Sequence, residues 1–163
     1  MKRDQPGPGQ ESVWDYPRPP ALELSSELVV VTFGGQIVAE TSRSWRVLET
    51  SHPPTYYLPR SAFAEDSLRP AGGGSSYCEW KGLASYLDVV GGDRIAQRQA
   101  WWYPRPAEQY AELEDHIALY PGAMDLCTVD GEQVTPQPGS FYGGWVTSRV
   151  VGPFKGTPGT TFW

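Results

Sequence analysis

Glycine and proline limit what this chain can fold into more than any other residues do. The sequence contains 18 glycines and 16 prolines, together more than a fifth of its 163 residues. Proline breaks a helix interior and glycine favours turns, so few stretches can form long helices. Seven tryptophans, nine tyrosines and five phenylalanines supply large side chains for a core. The composition therefore predicts one domain made mostly of β-strands and loops.

The charge of the chain excludes several classes of partner. Its formal net charge is −6 and its pI is about 4.9. The chain therefore lacks the excess of basic residues that nucleic-acid binding requires, and an anionic membrane would repel it. The first residues lack the apolar run of a signal peptide, and no segment approaches the roughly 20 apolar residues of a membrane span. We expect a soluble, cytoplasmic protein that binds neither nucleic acid nor membrane, as a monomer or weak homodimer.

The cysteines are Cys78 and Cys127. A zinc site would need His52 and His116 to join both of them from four separate segments, and the chain has no CxxC pair. In a reducing compartment two free thiols are the default. We therefore expect no structural metal, no disulfide and no cofactor.

Hairpin signals recur along the chain. The stretch "ELVVVTFGGQIVAET" places Gly34 and Gly35 between two β-rich runs, as in a tight turn. Residues 44–50 and 55–60 form a second predicted pair, and residues 84–104 form a third around "GGD". Asp130 and Gly131 mark a further hairpin turn. The pattern predicts an antiparallel, mainly β fold.

One short helix is predicted. Residues 106–114 begin at a proline, carry acids early, and place Tyr110 and Leu113 on one side. A single helical turn is also predicted in "SAFAEDSL", with Ser61 as its N-cap.

The two ends of the chain differ in character. Residues 1–12 are polar and rich in glycine and proline, which predicts disorder, and residues 13–163 form the single domain. The stretch "VWDYPRPPALEL", residues 13–24, is predicted to form an arm that packs over that domain, with recruitment of another protein as the alternative. The tail, residues 139–163, is irregular but aromatic, and we expect it to wrap the surface and bury Trp145 and Phe154.

The segment "CEWKG", residues 78–82, offers several chemistries. A phosphate loop needs glycines immediately before its lysine, and bulky residues precede Lys81. Cys78 would be a nucleophile only beside a base such as His52 or His116; otherwise it is an inert, part-buried thiol. Glu49, Glu79 or Asp88 could act as a general acid or base, or could simply be solvated. Burial would raise the pKa of a functional carboxyl, and the sequence does not show which of these carboxylates is buried.

Aromatic residues concentrate on the predicted strands. They are Tyr56, Tyr57, Trp80, Tyr86, Trp101, Trp102 and Tyr103, with Glu49, Arg60 and Lys81 beside them. Successive strand residues face opposite sides, so Trp102 must point away from Trp101 and Tyr103. One set can line a cleft while the other packs a core. The alternative is an aromatic core with Lys and Arg side chains reaching out to solvent.

A family resemblance follows from motifs in a fixed order between Ser12 and Trp163. They are "SVWDYPRPP", "VTFGG", "RVLETSHPPTYYLPR", "CEWKG", "AWWYP", "HIALYP", "VDGEQVTPQPG", "FYGGWVTS" and "VGPFKG". In these motifs the chain resembles the bacterial family called domain of unknown function 427, in a branch with a long tail.

The resemblance implies a single-domain antiparallel β-tent, similar to Mss4-like proteins and to the ligand-binding domain of cereblon. Relatives of that architecture hold zinc through paired CxxC motifs, which this chain lacks. A nucleotidyltransferase label is attached to the family, but the chain has neither a glycine-serine nucleotide loop nor a paired-aspartate metal motif.

The motifs and the aromatic pattern together predict a small-molecule cleft, with the reaction, if any, left open. The predicted ligand-binding residues are Glu49, Tyr57, Arg60, Trp80, Lys81, Tyr86, Trp101 and Tyr103. Lys81 is expected to face the cleft and attract an anionic or carbonyl-bearing ligand, oriented by Glu49 or Tyr57. Cys78 and Glu79 are expected to be structural. The alternative class is a non-enzymatic interaction or scaffold module, and nucleotidyltransferase-like activity is a third reading.

Overall fold

Short β-strands make up most of the regular structure of the chain. The structure, a computed structural model, describes residues 1–163. In chain order the strands are β1 (Glu11–Ser12), β2 (Ala21–Ser25), β3 (Val29–Phe33), β4 (Gln36–Thr41), β5 (Ser44–Leu48), β6 (Thr55–Pro59), β7 (Leu68–Pro70), β8 (Ser76–Cys78), β9 (Gly82–Gly91), β10 (Arg94–Trp102), β11 (His116–Leu119), β12 (Leu126–Val129), β13 (Glu132–Gln133), β14 (Thr135–Pro136), β15 (Trp145–Val146) and β16 (Val150–Val151). The helices are all short 3₁₀ helices: η1 (Val13–Asp15), η2 (Arg60–Ala62), η3 (Glu108–Leu113) and η4 (Pro121–Ala123). None of them is both long and apolar enough to span a bilayer.

Two antiparallel sheets carry the fold. The large sheet has eight strands in the order β2-β5-β6-β11-β10-β9-β7, with β8 also paired to β9. The small sheet has the order β13-β12-β3-β4. The predicted hairpins β3–β4, β5–β6, β9–β10 and β12–β13 are all present. The prediction of a mainly β, antiparallel fold is confirmed, and the closer likeness to a β-tent stays a prediction.

The large sheet presents two different faces. Its inner face packs on the small sheet through side chains such as Tyr56, Leu58 and Ile117, which form the main core. The next residues along the same strands, Tyr57 and Ala118, belong to a second cluster on the outer face. This alternation follows from the two-residue period of a strand, and it leaves the outer face available for a site.

The predicted helix is present, but as a kinked 3₁₀ segment. Helix η3 covers Glu108–Leu113, and Tyr110 departs from helical geometry with φ −120° and ψ 24°. Tyr110 and Leu113 are both buried against the outer face of the large sheet, as their spacing predicted. The position and the buried side of the helix were therefore predictable, whereas its 3₁₀ form was not.

The prediction of Ser61 as a helix cap is wrong. The turn η2 begins one residue earlier, at Arg60, so Ser61 lies inside it. The capping position is taken by Pro59, which makes no side-chain hydrogen bond there. A cap needs an extended backbone at its own residue, and here strand β6 continues to Pro59.

The tip of the β3–β4 hairpin rests directly on the end of β9. Gly34 has φ +61°, and a Cβ atom at that position would overlap the carbonyl group of Gly91. A Cβ atom on Gly91 would in turn overlap the carbonyl group of Phe33. The two sheets therefore meet backbone to backbone here, which requires glycine on both sides.

Replacing Gly34 with alanine should destabilise the protein far more than replacing its neighbour. Gly35 has φ +76°, but a Cβ atom added to it would have no other atom within 4 Å, so Gly35→Ala should cost about 1–2 kcal/mol for its left-handed backbone alone. Gly34→Ala adds a backbone clash, and we expect it to cost about 2 kcal/mol more. Urea unfolding of both variants measures the difference, and equal losses would contradict the close approach.

The arm and the tail pack on each other and on the edge of the large sheet. Strand β1 pairs in parallel with β16, and the arm places Val13 in a buried cluster with Leu48. The Trp14 indole donates a hydrogen bond to the Pro153 carbonyl at 2.9 Å. Trp145 is buried as predicted, whereas Phe154 is only half-buried. The disorder expected of residues 1–12 stays a prediction, although β1 begins within that range.

A fully buried arginine links the arm to the large sheet. The Arg46 side chain has no exposed surface and pairs with Glu11 at 2.8 Å and with Glu23 at 2.5 Å. Arg149 in the tail pairs with Glu11 at 3.0 Å. Burial would raise the pKa of the Glu11 carboxyl, but hydrogen bonds from Arg46 and Tyr16 and the two arginine charges outweigh it and hold that pKa at about 2. The chain termini are thus tied to the sheet by charge as well as by apolar packing.

Candidate functional site

A cavity of about 450 Å³ lies on the outer face of the large sheet. Its floor is made by alternate residues of four strands and their continuations, which are Val47, Glu49, Thr55, Tyr57, Ala84, Tyr86, Trp101 and Tyr103. The segment 76–81 covers one side of it. Another side is covered by Gln137 and by the tail residues Phe141, Tyr142 and Lys155. The volume is within the usual range for small-molecule pockets.

The structure brings together seven of the eight residues predicted to bind a ligand. Glu49, Tyr57, Trp80, Lys81, Tyr86, Trp101 and Tyr103 all line this cavity. Tyr57, Tyr86 and Trp101 lie on β6, β9 and β10. Glu49 and Tyr103 follow directly after β5 and β10, and Trp80 and Lys81 precede β9, so strand pairing collects the seven residues on one face. Trp102 lies on the opposite face and packs against the main core, as alternation along the strand predicted.

Arg60 is the exception, and its predicted place in the cleft is wrong. Its guanidinium lies 4.4 Å from the centroid of the Trp102 ring and 3.7 Å from an Asp115 oxygen. Because Trp102 faces away from the cavity, Arg60 does so too. The prediction relied on its nearness in sequence to Tyr57, but β6 ends at Pro59 and the chain turns away there.

Lys81 is the most buried charge in the cavity. The residue is 9% exposed, and its ammonium lies 6.0 Å from the centroid of the Tyr103 ring. No carboxylate forms an ion pair with it. Burial works to lower the pKa of Lys81, but the negative charge of Glu49 and a hydrogen bond with Cys78 act against it, and the pKa of Lys81 is raised. Lys81 therefore keeps its proton at neutral pH and acts as a fixed positive charge.

The backbone on both sides of Lys81 holds this charge in position. The Lys81 carbonyl accepts a hydrogen bond from the Ala107 amide at 2.9 Å. Gly82 follows with φ +113°, a conformation that residues with a side chain rarely adopt. Residues 79–81 form a turn, and it directs the lysine into the cavity.

Aromatic hydroxyl and indole groups form a connected wall beside Lys81. The Trp101 indole donates to the Tyr57 hydroxyl at 3.2 Å, and the Trp101 ring packs against Tyr120 with centroids 4.7 Å apart. Burial raises the pKa of the fully buried Tyr57 hydroxyl. These tyrosines are therefore neutral hydrogen-bonding groups, and they leave the Lys81 charge without a compensating anion.

A hydrogen-bonded glutamine determines the form of His52 at another side of the cavity. The Gln137 Oε1 accepts from the Gly144 amide at 3.0 Å, and the Gln137 Nε2 donates to the Lys155 carbonyl at 2.9 Å. The second hydrogen of that Nε2 therefore points to Nδ1 of His52, 3.0 Å away. Neutral His52 must then carry its proton on Nε2, which faces a Glu49 oxygen at 3.6 Å.

His52 should lower the stability of the protein as the pH falls. Burial, followed by the charges of Lys155 and Arg18, lowers the pKa of His52 from its ordinary 6.5 to about 4, despite the hydrogen bond from Gln137. A depressed histidine pKa means that stability is fully present above about pH 6.5 and is lost progressively towards pH 4. We expect melting temperatures of the protein to fall in that window and those of His52→Gln to fall less. Parallel curves for the two proteins would contradict a buried neutral His52.

The two cysteines differ in their surroundings. Cys127 lies in the main core, and burial raises the pKa of its thiol to about 12, so it is inert. Cys78 is half-buried, and it lines the cavity together with the exposed Glu79. The purely structural role expected of Cys78 and Glu79 stays a prediction. No group of three or more His, Cys, Asp or Glu residues is arranged to hold a metal ion.

Sequence reasoning missed the contributions of the tail, of Gln137 and of His52. Gln137, Tyr142 and Lys155 line the cavity although they follow the central strands by dozens of residues. Each of them, like His52, lies within a motif that carries the family resemblance. Membership of these motifs was the one sequence feature that could have indicated a place in the site. Local pattern alone could not place them, because irregular segments have no periodicity to interpret.

Comparison with known proteins gives one family. The family model described as domain of unknown function (DUF427) matches residues 21–130, which contain β2 to β12 and the whole cavity floor. The tail and most of the arm lie outside the matched residues. None of the curated proteins matches the chain. The match covers well over half of the sequence, and the chain therefore belongs to the domain of unknown function 427 family.

Proposed function

We propose that the protein binds a small anionic molecule with an apolar, planar body in the cavity on the large sheet. The observation that carries the proposal is Lys81, a protonated ammonium in the cavity wall without an ion-pair partner. Burying an unpaired charge is costly, and a carboxylate or phosphate group on a ligand would neutralise it. The ammonium could also polarise a ligand carbonyl, but only an anion would offset its charge.

The walls support the apolar part of this ligand. Trp80, Trp101 and Tyr103 present aromatic surface on the side of Lys81, and such rings bury flat apolar groups well. Aromatic cages can also attract cations through their ring faces. Here the Lys81 charge would repel a cationic ligand, which favours an anion over a quaternary ammonium or an amine.

An interaction module remains the second candidate, for one reason. Tyr77 and Leu83 are directly opposite each other on β8 and β9, and they are 75% and 56% exposed. Such a pair beside the cavity could contact another protein. This exposed pair is smaller than the apolar surfaces that usually mark protein interfaces, so the cavity takes precedence.

Three compounds of similar size test the proposal. Calorimetry would measure the affinities of 3-phenylpropionate, 3-phenylpropionamide and 3-phenylpropylamine for the intact protein, and tryptophan fluorescence would report on the cavity walls. We expect the carboxylate to bind at least tenfold more tightly than the amide and the amine to bind least. Equal affinities, tighter binding of the amine, or no binding of any of the three at millimolar concentrations would overturn the proposal.

A further inference from the structure

The cavity contains a second fixed charge, of sign opposite to that of Lys81. Glu49 lies two residues beyond Val47 and shares its face of the sheet, and both residues line the cavity. The Glu49 side chain is 24% exposed. It does not form an ion pair with Lys81, although its charge contributes to raising the lysine pKa. The two charges therefore share one cavity without neutralising each other.

Separate anchors keep these two charges apart. Glu49 lies 4.0 Å from Arg18 and 3.6 Å from His52. Lys81 is held through its backbone bond to Ala107 and by the turn at Gly82. Charges fixed in advance by the fold favour a ligand whose own charges match them, because little reorganisation is needed on binding.

The neighbours of Glu49 leave its negative charge available. His52 is neutral and turns its Nε2 proton towards the carboxylate, so it does not cancel the charge of Glu49. The Arg18 guanidinium is 42% exposed, and it already donates hydrogen bonds to the Thr50 and Trp163 carbonyls. An exposed ion pair at this distance is worth little, so a ligand ammonium would still gain from contact with Glu49.

The other charged residues of the lining are less suited to fix a ligand. Glu79 is exposed. Lys155 is half-buried like Glu49, but its ammonium packs on the Tyr142 ring, 5.5 Å from the ring centroid. Solvent screens exposed charges more strongly than buried ones. Lys81 and Glu49 are thus the pair that determines which charges a ligand should carry.

We propose that the ligand is a zwitterion of the α-amino acid type with a large apolar or aromatic side chain. Its carboxylate would contact Lys81 and its ammonium would contact Glu49, while its side chain would lie against Trp80 and Trp101. This inference rests on the proposed function and adds to it a substrate class. An anion without an ammonium would leave the Glu49 charge unused, whereas an amino acid satisfies both charges at once.

Titrations of the intact protein with four compounds test the inference. They are L-phenylalanine, 3-phenylpropionate, which lacks the amine, N-acetyl-L-phenylalanine, in which the amine is uncharged, and phenethylamine, which lacks the carboxylate. We expect phenylalanine to bind at least tenfold more tightly than 3-phenylpropionate. The N-acetyl compound should fall to the level of 3-phenylpropionate or below, and phenethylamine should bind least.

Variants then assign the effect to the two charges. Glu49→Gln should remove the advantage of phenylalanine over 3-phenylpropionate, because only phenylalanine carries the ammonium that Glu49 would contact. Lys81→Met should weaken the binding of both compounds. Glu40→Gln is the control, because Glu40 is exposed on β4 in the other sheet, and it should change neither affinity.

The outcomes separate the inference from the proposal on which it rests. Equal affinities of phenylalanine and 3-phenylpropionate would overturn the zwitterion but leave an anion site. An advantage of phenylalanine that survives in Glu49→Gln would overturn the role of Glu49. Binding of phenethylamine alone, or of none of the compounds, would overturn both.

Discussion

Replacing Arg46 with methionine should lower the free energy of unfolding by about 3 kcal/mol. Arg46 is completely buried and pairs with Glu11 and Glu23. Its removal would leave these carboxylates without the charge that they share, at the point where the arm joins the large sheet. The expected loss is at the low end for a buried pair, because both glutamates are partly exposed and Arg149 still pairs with Glu11.

A matched arginine on the surface provides the control for this variant. The Arg60 side chain is 40% exposed, and its partner Asp115 is 75% exposed. Arg60→Met removes the same atoms but should cost less than about 1 kcal/mol. Urea unfolding of both variants measures the two losses. Similar values would show that the buried position of Arg46 adds nothing to stability.

The same arginine should also influence acid stability. The folded-state pKa of Glu11 is held at about 2, below its ordinary 4.5. A carboxyl with a depressed pKa contributes stability above about pH 4.5, and that contribution is lost as the pH falls towards 2. Without Arg46 the pKa of Glu11 should move back towards its ordinary value. Melting curves across this window should therefore be flatter for Arg46→Met than for the unmodified protein, and equally steep curves would contradict the assignment.

Replacing Lys81 with methionine should have the opposite profile. We expect binding of 3-phenylpropionate to weaken about a hundredfold, because truncating one partner of a buried charge pair costs roughly 2–5 kcal/mol of affinity. The melting temperature should stay within a few degrees of the unmodified value. Lys81 has no ion-pair partner in the cavity, so its removal leaves no carboxylate unpaired, and it also removes a buried charge.

The two buried cations differ in their ion-pair partners, and this difference is the reason for the opposite predictions. Arg46 and Lys81 are both buried, but only Arg46 is surrounded by carboxylates. A thermal melt and a 3-phenylpropionate titration on Lys81→Met measure both properties in one preparation. A large loss of stability, combined with no binding to the unmodified protein, would mean that Lys81 is a structural residue and would end the pocket hypothesis for it.

Much of the fold was predictable because its signals are local. Gly34 with Gly35, and Asp130 with Gly131, mark hairpin turns through the backbone conformations that these residues allow, and the structure has a hairpin at each. The burial of Tyr110 and Leu113 follows from their spacing in the same way. Strand alternation separated Trp101 and Tyr103 from Trp102, because successive residues of any strand must face opposite sides.

The membership of the cavity was predictable only in part. Alternation and motif order singled out Glu49, Trp80 and Lys81, and all three line the cavity. Arg60 was assigned to the same cleft by sequence proximity, which fails where a strand ends and the chain turns. Phe154 was expected to be buried and is only half-buried, since an irregular tail has no period from which burial can be inferred.

The contacts that depend on distant segments were set by tertiary structure alone. Gln137 meets His52 across 85 residues of chain, and Arg46 meets Glu11 across 35. A charged residue on a strand is ordinarily solvated, and nothing local indicates that Arg46 is buried among carboxylates while Lys81 is buried without one. Sequence thus specifies which residues share a face, through turn chemistry and strand periodicity. Which opposite charges end up paired depends on how separate segments pack, and only the folded chain decides that.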